Sequence, residues 1–511
     1  MLLRKLAYSV VFTLIVINLI LGAWFVLHGD ITYGYGGDIA RDMYLLQLGV
    51  IKKFVLIGAY SGGIPGVYHG PAWMYLNLPA FVIAGGNPVG VGWYWVLLSI
   101  LMLLIIFFIS KKLFSSKVGL LSALMFSVFM IGQTKELTNP FGAVLVFPIF
   151  FYGIYQYLDK SLAKYLVLSL FLNGLMVQFE AAFGVPILIL TTVLVLWHIA
   201  KKRTWNHLLS FLILAIPFST YAAFELRHGF LQSKALYNYM TGVVNFAKQP
   251  FKVIIISRIR GLFVDGFYIF KYVPIYFSIF ASSIFAYVIY QTRKSMFNIK
   301  AYLLFSYFYC GYWALMLALY KGIVFDYYYW PFFPLVLILL SSIFFTSKQY
   351  RYILLFLFIP IYIFTVDVGY KATVKMAPNY IGKDSGSWLF NKRVAEDVFK
   401  MSGDDFGYYI YTPDLYATGT KYAFYYVQKK NVNKKGYLNK KKEITYLIFT
   451  PLFKDLPFHN GIWWKEAQVR ISKKPNFVHR YPNGFRFERY SLTDQEIAVP
   501  SDELVLNTFS L

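Results

Sequence analysis

The stretch VLLSILMLLIIFFISKKLFSSKVGLLSALMFSVFMIG, residues 96–132, holds two apolar runs hinged on Lys111, Lys112 and Lys117. Each run is near the ~20 residues that cross a bilayer as a helix, so this segment reads as an antiparallel pair of spans with a basic turn between them. The pattern repeats along the first 350 or so residues, with further clusters at Arg4/Lys5, Lys160/Lys164, Lys201/Lys202/Arg203, Arg293/Lys294/Lys300 and Lys348/Arg351. They fall at every second boundary between apolar runs, and by the positive-inside tendency those boundaries face the cytoplasm. The chemistry-bearing loops then lie on the outer face.

Extending the reading gives about eleven spans: 6–27, 91–110, 118–133, 141–158, 163–179, 181–200, 207–224, 268–290, 301–320, 328–346 and 351–368. The N-terminus is expected inside and the C-terminus outside the plasma membrane, and the length of the first run favours a retained helix over a cleaved signal. The expected fold is mainly α: a polytopic helical bundle over 1–368, with a small α/β extracytoplasmic domain over 369–511. In the latter, GYYIYTPD (407–414) and ITYLIFTP (444–451) read as buried strands, with KYAFYYVQKK (421–430) helical between them. Seven lysines between Lys429 and Lys442 read as a solvated loop, a lipid-headgroup face being the alternative.

Composition agrees. The chain is 58% hydrophobic and 14% charged, above the apolar share of ordinary soluble domains. Of its net charge of +25, residues 369–511 carry +8 and residues 1–368 carry +17, so the excess follows topology and anionic lipid and does not argue for nucleic acid. With a single cysteine, Cys310, no intrachain disulfide can form.

The first outer loop, roughly 28–90, carries the densest polar signal: YGYGGDIARDMYLLQLGVIKKF from Tyr33, then GGIPGVYHGPAWMYLNLPAF from Gly62. Residues 39–54 have helical periodicity with an apolar face, as in a helix lying along the membrane surface. Asp38, Arg41 and Asp42, spaced i, i+3, i+4, can converge near its start. Asp38 also suits a helix cap, Asp42 an arginine-paired carboxylate, and Arg41 either that partner or a phosphate contact. Tyr68 and His69 sit among Pro65, Gly66, Gly70 and Pro71, where tight turns are expected.

Charges near span ends must face a cavity, a partner or the interface. Lys135 and Glu136 can pair with one another. Glu180, in VQFEAAFG, stands at a span junction as a solvated helix end or a cavity carboxylate, and FELRHGF places Glu225, Arg227 and His228 beyond another span. Arg258 and Arg260 precede Asp265; one of the two can hold a lipid phosphate bidentately, the alternative being that they snorkel to headgroups. In YKGIVFDYYYWPFFP (320–334), Lys321 serves as interface anchor or phosphate contact. Three consecutive tyrosines there cannot all face lipid, so at least one of them should turn inward, and Tyr327 and Tyr328 are the substrate-binding candidates.

The succession GGDIARDM, GVYHGPAWMYL, GGNP, FELRHGF and YYYWPFFP resembles the GT-C glycosyltransferases of the protein O-mannosyltransferase and aminoarabinose-transferase type, particularly bacterial ones. The resemblance implies transfer of a hexosyl or pentosyl unit from a polyprenyl-phosphate sugar to a protein, lipid or glycan acceptor on the outer face, usually with inversion. It places the catalytic acid at Asp38, a basic residue at Arg41, and Tyr68 and His69 in the region near the donor phosphate. Such relatives often follow the aspartate with a second acid; here Ile39 follows and the next acid is Asp42, which weakens the case for a metal-binding pair.

The residue types fit this chemistry independently. An acceptor hydroxyl attacking an anomeric carbon needs a carboxylate to take its proton, and the leaving phosphate needs fixed arginine, lysine and tyrosine donors. A divalent metal is optional in such a scheme. The alternative class is a transporter or flippase of lipid-linked sugars, for which midplane charges and paired halves are expected.

Overall fold

The computed structural model describes residues 2–33, 37–243, 249–267, 275–292, 298–345, 348–411, 417–451 and 461–502. Arg293 and Lys294 of the fifth basic cluster, the first seven residues of the span expected at 268–290, and 412–414 of the first expected strand lie outside them. The chain divides into two compact units: 1–23, 53–78 and 94–373, and 24–52, 79–93 and 374–511. The second takes up two segments of the first loop, which lie upstream of the boundary expected at 368/369.

The first unit is a helical bundle. Helices Ser116–Gln133, Pro140–Lys160, Ala163–Phe179, Ala181–Lys202, Ala215–Arg227, Ile275–Thr292, Ile299–Leu319, Phe333–Ile343 and Lys348–Tyr370 coincide with expected spans, as do Leu2–Gly22 and Pro88–Leu113. Among the described residues, six helical stretches are long and apolar enough to cross a membrane. Their ends follow from local chemistry. Ser115 caps the Ser116 helix by accepting from the Val118 amide, and Pro140 occupies a first-turn position where its missing N–H is not needed. Lys111/Lys112, Lys160 and Lys201/Lys202 close the last turns of three helices, where cations complement the carbonyl ends.

Between helices in lipid, close packing replaces the hydrophobic drive. A Cβ on Gly153 would stand 2.3 Å from Ser169 Oγ, and one on Gly142 would be 2.4 Å from the Phe179 ring, so glycine lets helices 140–160 and 163–179 approach. Aromatic rings fill the interior: Phe147, Phe183 and Phe332 are fully buried and meet edge to face at 5.0–5.4 Å.

The second unit holds a five-stranded sheet in the order β2-β1-β3-β5-β4, with β1 Phe406–Tyr411, β2 Gly436–Leu438, β3 Ile444–Phe449, β4 Phe477–Arg480 and β5 Arg486–Ser491. β1 runs parallel to β2 and β3, while β5 is antiparallel to β3 and β4. The two expected strands are thus the central parallel pair, and helix Thr418–Lys430 follows the first. Apolar side chains make β1 and β3 the core of the sheet, as a strand covered on both faces requires.

Two lysines of the 429–442 run are not solvated. Lys441 is buried, its ammonium donating to the carbonyls of Arg470 (2.9 Å), Val499 (3.0 Å) and Glu496 (3.4 Å); Lys434 donates to Phe399 and Ser402. Asp30, buried, binds the distant segment around Ser387: it accepts from Ser387 Oγ and from the amides of Ile31, Leu389 and Gly382.

Candidate functional site

The second unit carries the acidic cluster. Gly37, at φ 77°, turns the chain into helix Asp38–Leu45, which continues as a π-helical turn over Leu46–Val50. The surface-lying helix expected over 39–54 is corrected here. Its apolar face, Ile39, Ala40, Met43 and Leu46, is buried within the protein, where helix 418–430 packs against it, so it is not left for lipid. A Cβ on Gly419 would stand 2.8 Å from the Tyr33 ring and 3.7 Å from Ala40 Cβ, which explains how closely the chains meet.

One turn of helix brings Asp38, Arg41 and Asp42 together. Arg41 Nη1 donates to Asp38 Oδ1 at 2.7 Å, while Nη2 and Nε both donate to Asp42 Oδ1, at 2.9 and 3.0 Å. Burial opposes the Arg41 charge, but Asp42 and Asp38 outweigh it and raise its pKa. The Asp42 side chain is 8% exposed and that of Asp38 49%, so Asp42 is the buried anchor and Asp38 the accessible acid. Asp38 makes no side-chain cap; the capping position belongs to Gly37.

In the first unit, residues 58–70 form a hairpin-like loop. Gly58 N–H donates to the His69 carbonyl at 2.7 Å, His69 N–H to Ala59 at 2.9 Å, and Ser61 N–H to Val67 at 2.9 Å. The expected turn is present, with Gly66 at φ 83°. Tyr68 donates its amide to Gln232 Oε1 at 2.8 Å and packs its ring on Tyr60 and Phe224. His69 is buried.

Glu180 interrupts two helices in extended conformation (φ −147°, ψ 96°), and Oε1 accepts from the Ala182 amide at 3.2 Å, a true N-cap. It is also 1% exposed, so the solvated-helix-end reading is overturned. Burial pushes its pKa up to about 8, against the smaller lowering by the Ala182 amide. Glu225 caps helix Leu231–Thr241 through the Gln232 and Ser233 amides, both at 3.0 Å.

Arg258 is buried, and its donors go to protein acceptors: Nη2 to the carbonyls of Gly322 (2.8 Å) and Tyr320 (3.0 Å), Nε to Met316 (3.4 Å), Nη1 to Ser257 Oγ (2.8 Å). They do not stand open toward a phosphate. Arg260 pairs with Asp265 at 3.0 Å. Lys321 lies between the two carbonyls that Arg258 grips; its own N–H donates to Tyr239 Oη at 2.9 Å and its carbonyl accepts from Gln249 N–H at 3.0 Å. Its side chain is exposed. Of the three tyrosines, Tyr328 and Tyr329 are buried and Tyr327 is half-buried, meeting Tyr328 edge to face at 4.9 Å.

Among the described residues, no group of three or more His, Cys, Asp or Glu side chains could hold a metal ion. Asp38 and Asp42 are moreover both engaged by Arg41, so the donor set does not fit a metal and no step is routed through one.

A family model described as dolichyl-phosphate-mannose-protein mannosyltransferase matches residues 68–223. The crystal structure of ArnT from Cupriavidus metallidurans bound to undecaprenyl phosphate superimposes with TM-score 0.58 at 11% identity, covering 97% of this chain and 100% of that one. The same enzyme in the apo state gives TM-score 0.53 at 10% identity, over 94% and 98%. Over residues 68–223 the chain is similar to the protein mannosyltransferase family, and over nearly its whole length it shares a fold with ArnT. Its helical bundle with a small C-terminal sheet is an ArnT-like fold, and its described helices include six that are long and apolar enough to cross a membrane. No curated protein matches the chain in sequence. The matched segment contains Tyr68, His69 and Glu180, whereas Asp38, Arg258 and Lys321 lie outside it. Sequence reasoning missed the Arg258 clamp on 320–322 and the burial of Glu180, because both depend on residues far apart in the chain.

Proposed function

We propose that this protein is a polyprenyl-phosphate-sugar-dependent glycosyltransferase of the GT-C kind that moves a hexosyl or pentosyl unit, with inversion, onto an acceptor hydroxyl at the outer face of the plasma membrane. The observation that carries the reading is the unequal acid pair: Arg41 balances the buried Asp42, and Asp38, bonded to Arg41 through Oδ1, stays half-exposed. Asp38 is the general base in this reading; a positioned carboxylate typically contributes ~10²–10⁴-fold. Arg41 and Asp42 orient it.

Lys321 is the phosphate contact that best fits the leaving group, since its backbone is held on both sides while its ammonium is exposed. A cation fixed before the charge develops stabilises a transition state without reorganising. Arg260 serves second, being bonded to Asp265. That ArnT was crystallised with undecaprenyl phosphate supports a polyprenyl donor here as well. The acceptor class is protein, lipid or glycan. The proposed topology has the N-terminus cytoplasmic and 369–511 extracytoplasmic, on the basic clusters.

The test is transfer from a radiolabelled polyprenyl-phosphate sugar by the purified protein and by Asp38→Asn. A rate loss of at least ~10²-fold supports the assignment, and undiminished turnover removes Asp38 from the mechanism.

A further inference from the structure

We infer that Glu180 and the phenols of Tyr320 and Tyr328 form a subsite that binds hydroxyls of a neutral sugar ring. The inference rests on the transferase reading and deepens it, assigning the donor's sugar to a place separate from its phosphate.

The first ground is an acceptor left over. Glu180 Oε1 is used by the Ala182 amide, but Oε2 is buried with no hydrogen-bond partner among the described residues. A buried carboxyl oxygen without a partner is costly, and proteins keep such groups where a ligand completes them.

The second ground is what surrounds it. Tyr221 from helix 215–227, Tyr312 from helix 299–319, and Tyr320 and Tyr328 beyond it all stand within electrostatic reach of this carboxyl. Two of these phenols are committed, Tyr312 to the Tyr328 carbonyl at 3.4 Å and Tyr221 to the Val177 carbonyl at 3.5 Å. Among the described residues the Tyr320 and Tyr328 hydroxyls bond to one another, which leaves each phenol capacity to donate or accept once more. Among the described residues no cation pairs with Glu180, and Arg258 donates to the carbonyls of Met316, Tyr320 and Gly322 and to Ser257 Oγ.

This balance of charge selects the ligand. Among the described residues the cation beside these phenols is Arg258, over the Tyr320 ring and already bonded to protein acceptors, so a phosphate would meet a carboxyl and phenols, whereas a polyol both donates and accepts, and its C–H face packs on aromatic rings. Burial holds the carboxyl largely neutral near pH 7, so it too can donate and accept.

The loop 58–70 closes the group from one side. A Cβ on Gly63 would fall 2.7 Å from Tyr328 Oη and 3.1 Å from Tyr320 Oη, so the loop backbone lies directly against the phenol pair and only glycine fits.

The experiment measures binding of undecaprenyl phosphate, undecaprenyl phosphomannose and undecaprenyl phosphoglucose to the full-length protein in detergent. The wild-type chain is expected to hold at least one glycolipid more tightly than the bare phosphate. Glu180→Leu and Tyr328→Phe should each reduce that preference roughly three- to tenfold, the worth of one neutral hydrogen bond, with affinity for the bare lipid phosphate unchanged. Glu180→Gln, which imitates the neutral acid, should keep most of it. Tyr328→Phe carries the test alone if Glu180→Leu does not fold. Equal weakening of all three probes, or of none, overturns the subsite, as does a wild-type chain without preference for either glycolipid. A wild-type chain that binds no probe at all strikes instead at the transferase reading.

Discussion

Arg258 Nη2 donates to the Gly322 carbonyl at 2.8 Å. With its bonds to Tyr320 and Met316, this makes one guanidinium the clamp for the chain that leaves helix 299–319. Lysine cannot reproduce a planar fork. Arg258→Lys should therefore lower stability by about 2 kcal/mol, from buried carbonyls left unsatisfied, measured by thermal unfolding in detergent. An unchanged transition would show that the clamp is not structural.

Lys321 is the residue this clamp presents. Lys321→Ala should raise the donor KM roughly tenfold, the scale of one charge-assisted hydrogen bond, and leave the melting temperature within a degree or so, since the side chain is exposed. Turnover assays against donor concentration separate the two effects.

Asp42→Asn and Asp38→Asn should differ in kind. The buried Asp42 carboxylate takes two Arg41 donors on one oxygen, and its replacement leaves a partly buried guanidinium short of charge. A destabilisation of about 2–3 kcal/mol is expected for Asp42→Asn. Asp38→Asn should leave stability nearly unchanged while removing activity. Paired melting and rate measurements decide between them.

The carboxyl of Glu180 gives stability a pH dependence of predictable sign. Its pKa is raised from 4.5 to about 8 by burial, among the phenols of Tyr221, Tyr312, Tyr320 and Tyr328. The unfolded chain therefore releases the proton at lower pH than the folded chain. Between about 4.5 and about 8 the folded state binds more protons, so this group's contribution falls as pH rises. Glu180→Gln should melt progressively higher relative to wild type across that window. A constant difference would contradict the buried, uncharged acid.

Lys441→Met should destabilise the second unit by about 2 kcal/mol or more, since the carbonyls of Arg470 and Val499 lose their buried donor. Limited proteolysis comparing the two chains would reveal the loosened sheet.

The spans were legible because a helix in lipid must satisfy its own backbone, so each announces itself by an unbroken apolar run and a basic end. The strands 406–411 and 444–449 were legible for the related reason that both are buried. The helix after Asp38 was legible as a helix but not in what covers it: an amphipathic face looks the same whether lipid or helix 418–430 lies against it. Glu180 shows the same limit. Its capping role follows from the residues beside it, whereas its burial is decided by tyrosines up to 148 positions away. Local chemistry cannot foretell which of seven lysines will turn inward, because the carbonyls awaiting Lys441 come from three separate later positions.

The second unit is assembled from early and late pieces of the chain, and that has a cost in time. Asp30 is synthesised 357 residues before Ser387, the hydroxyl that completes its bonding. At ribosomal rates this is a wait of roughly 20 to 70 seconds. Throughout that interval the acid and the greasy side of helix 38–45 emerge without their native cover, which arrives only with Ser387 and helix 418–430.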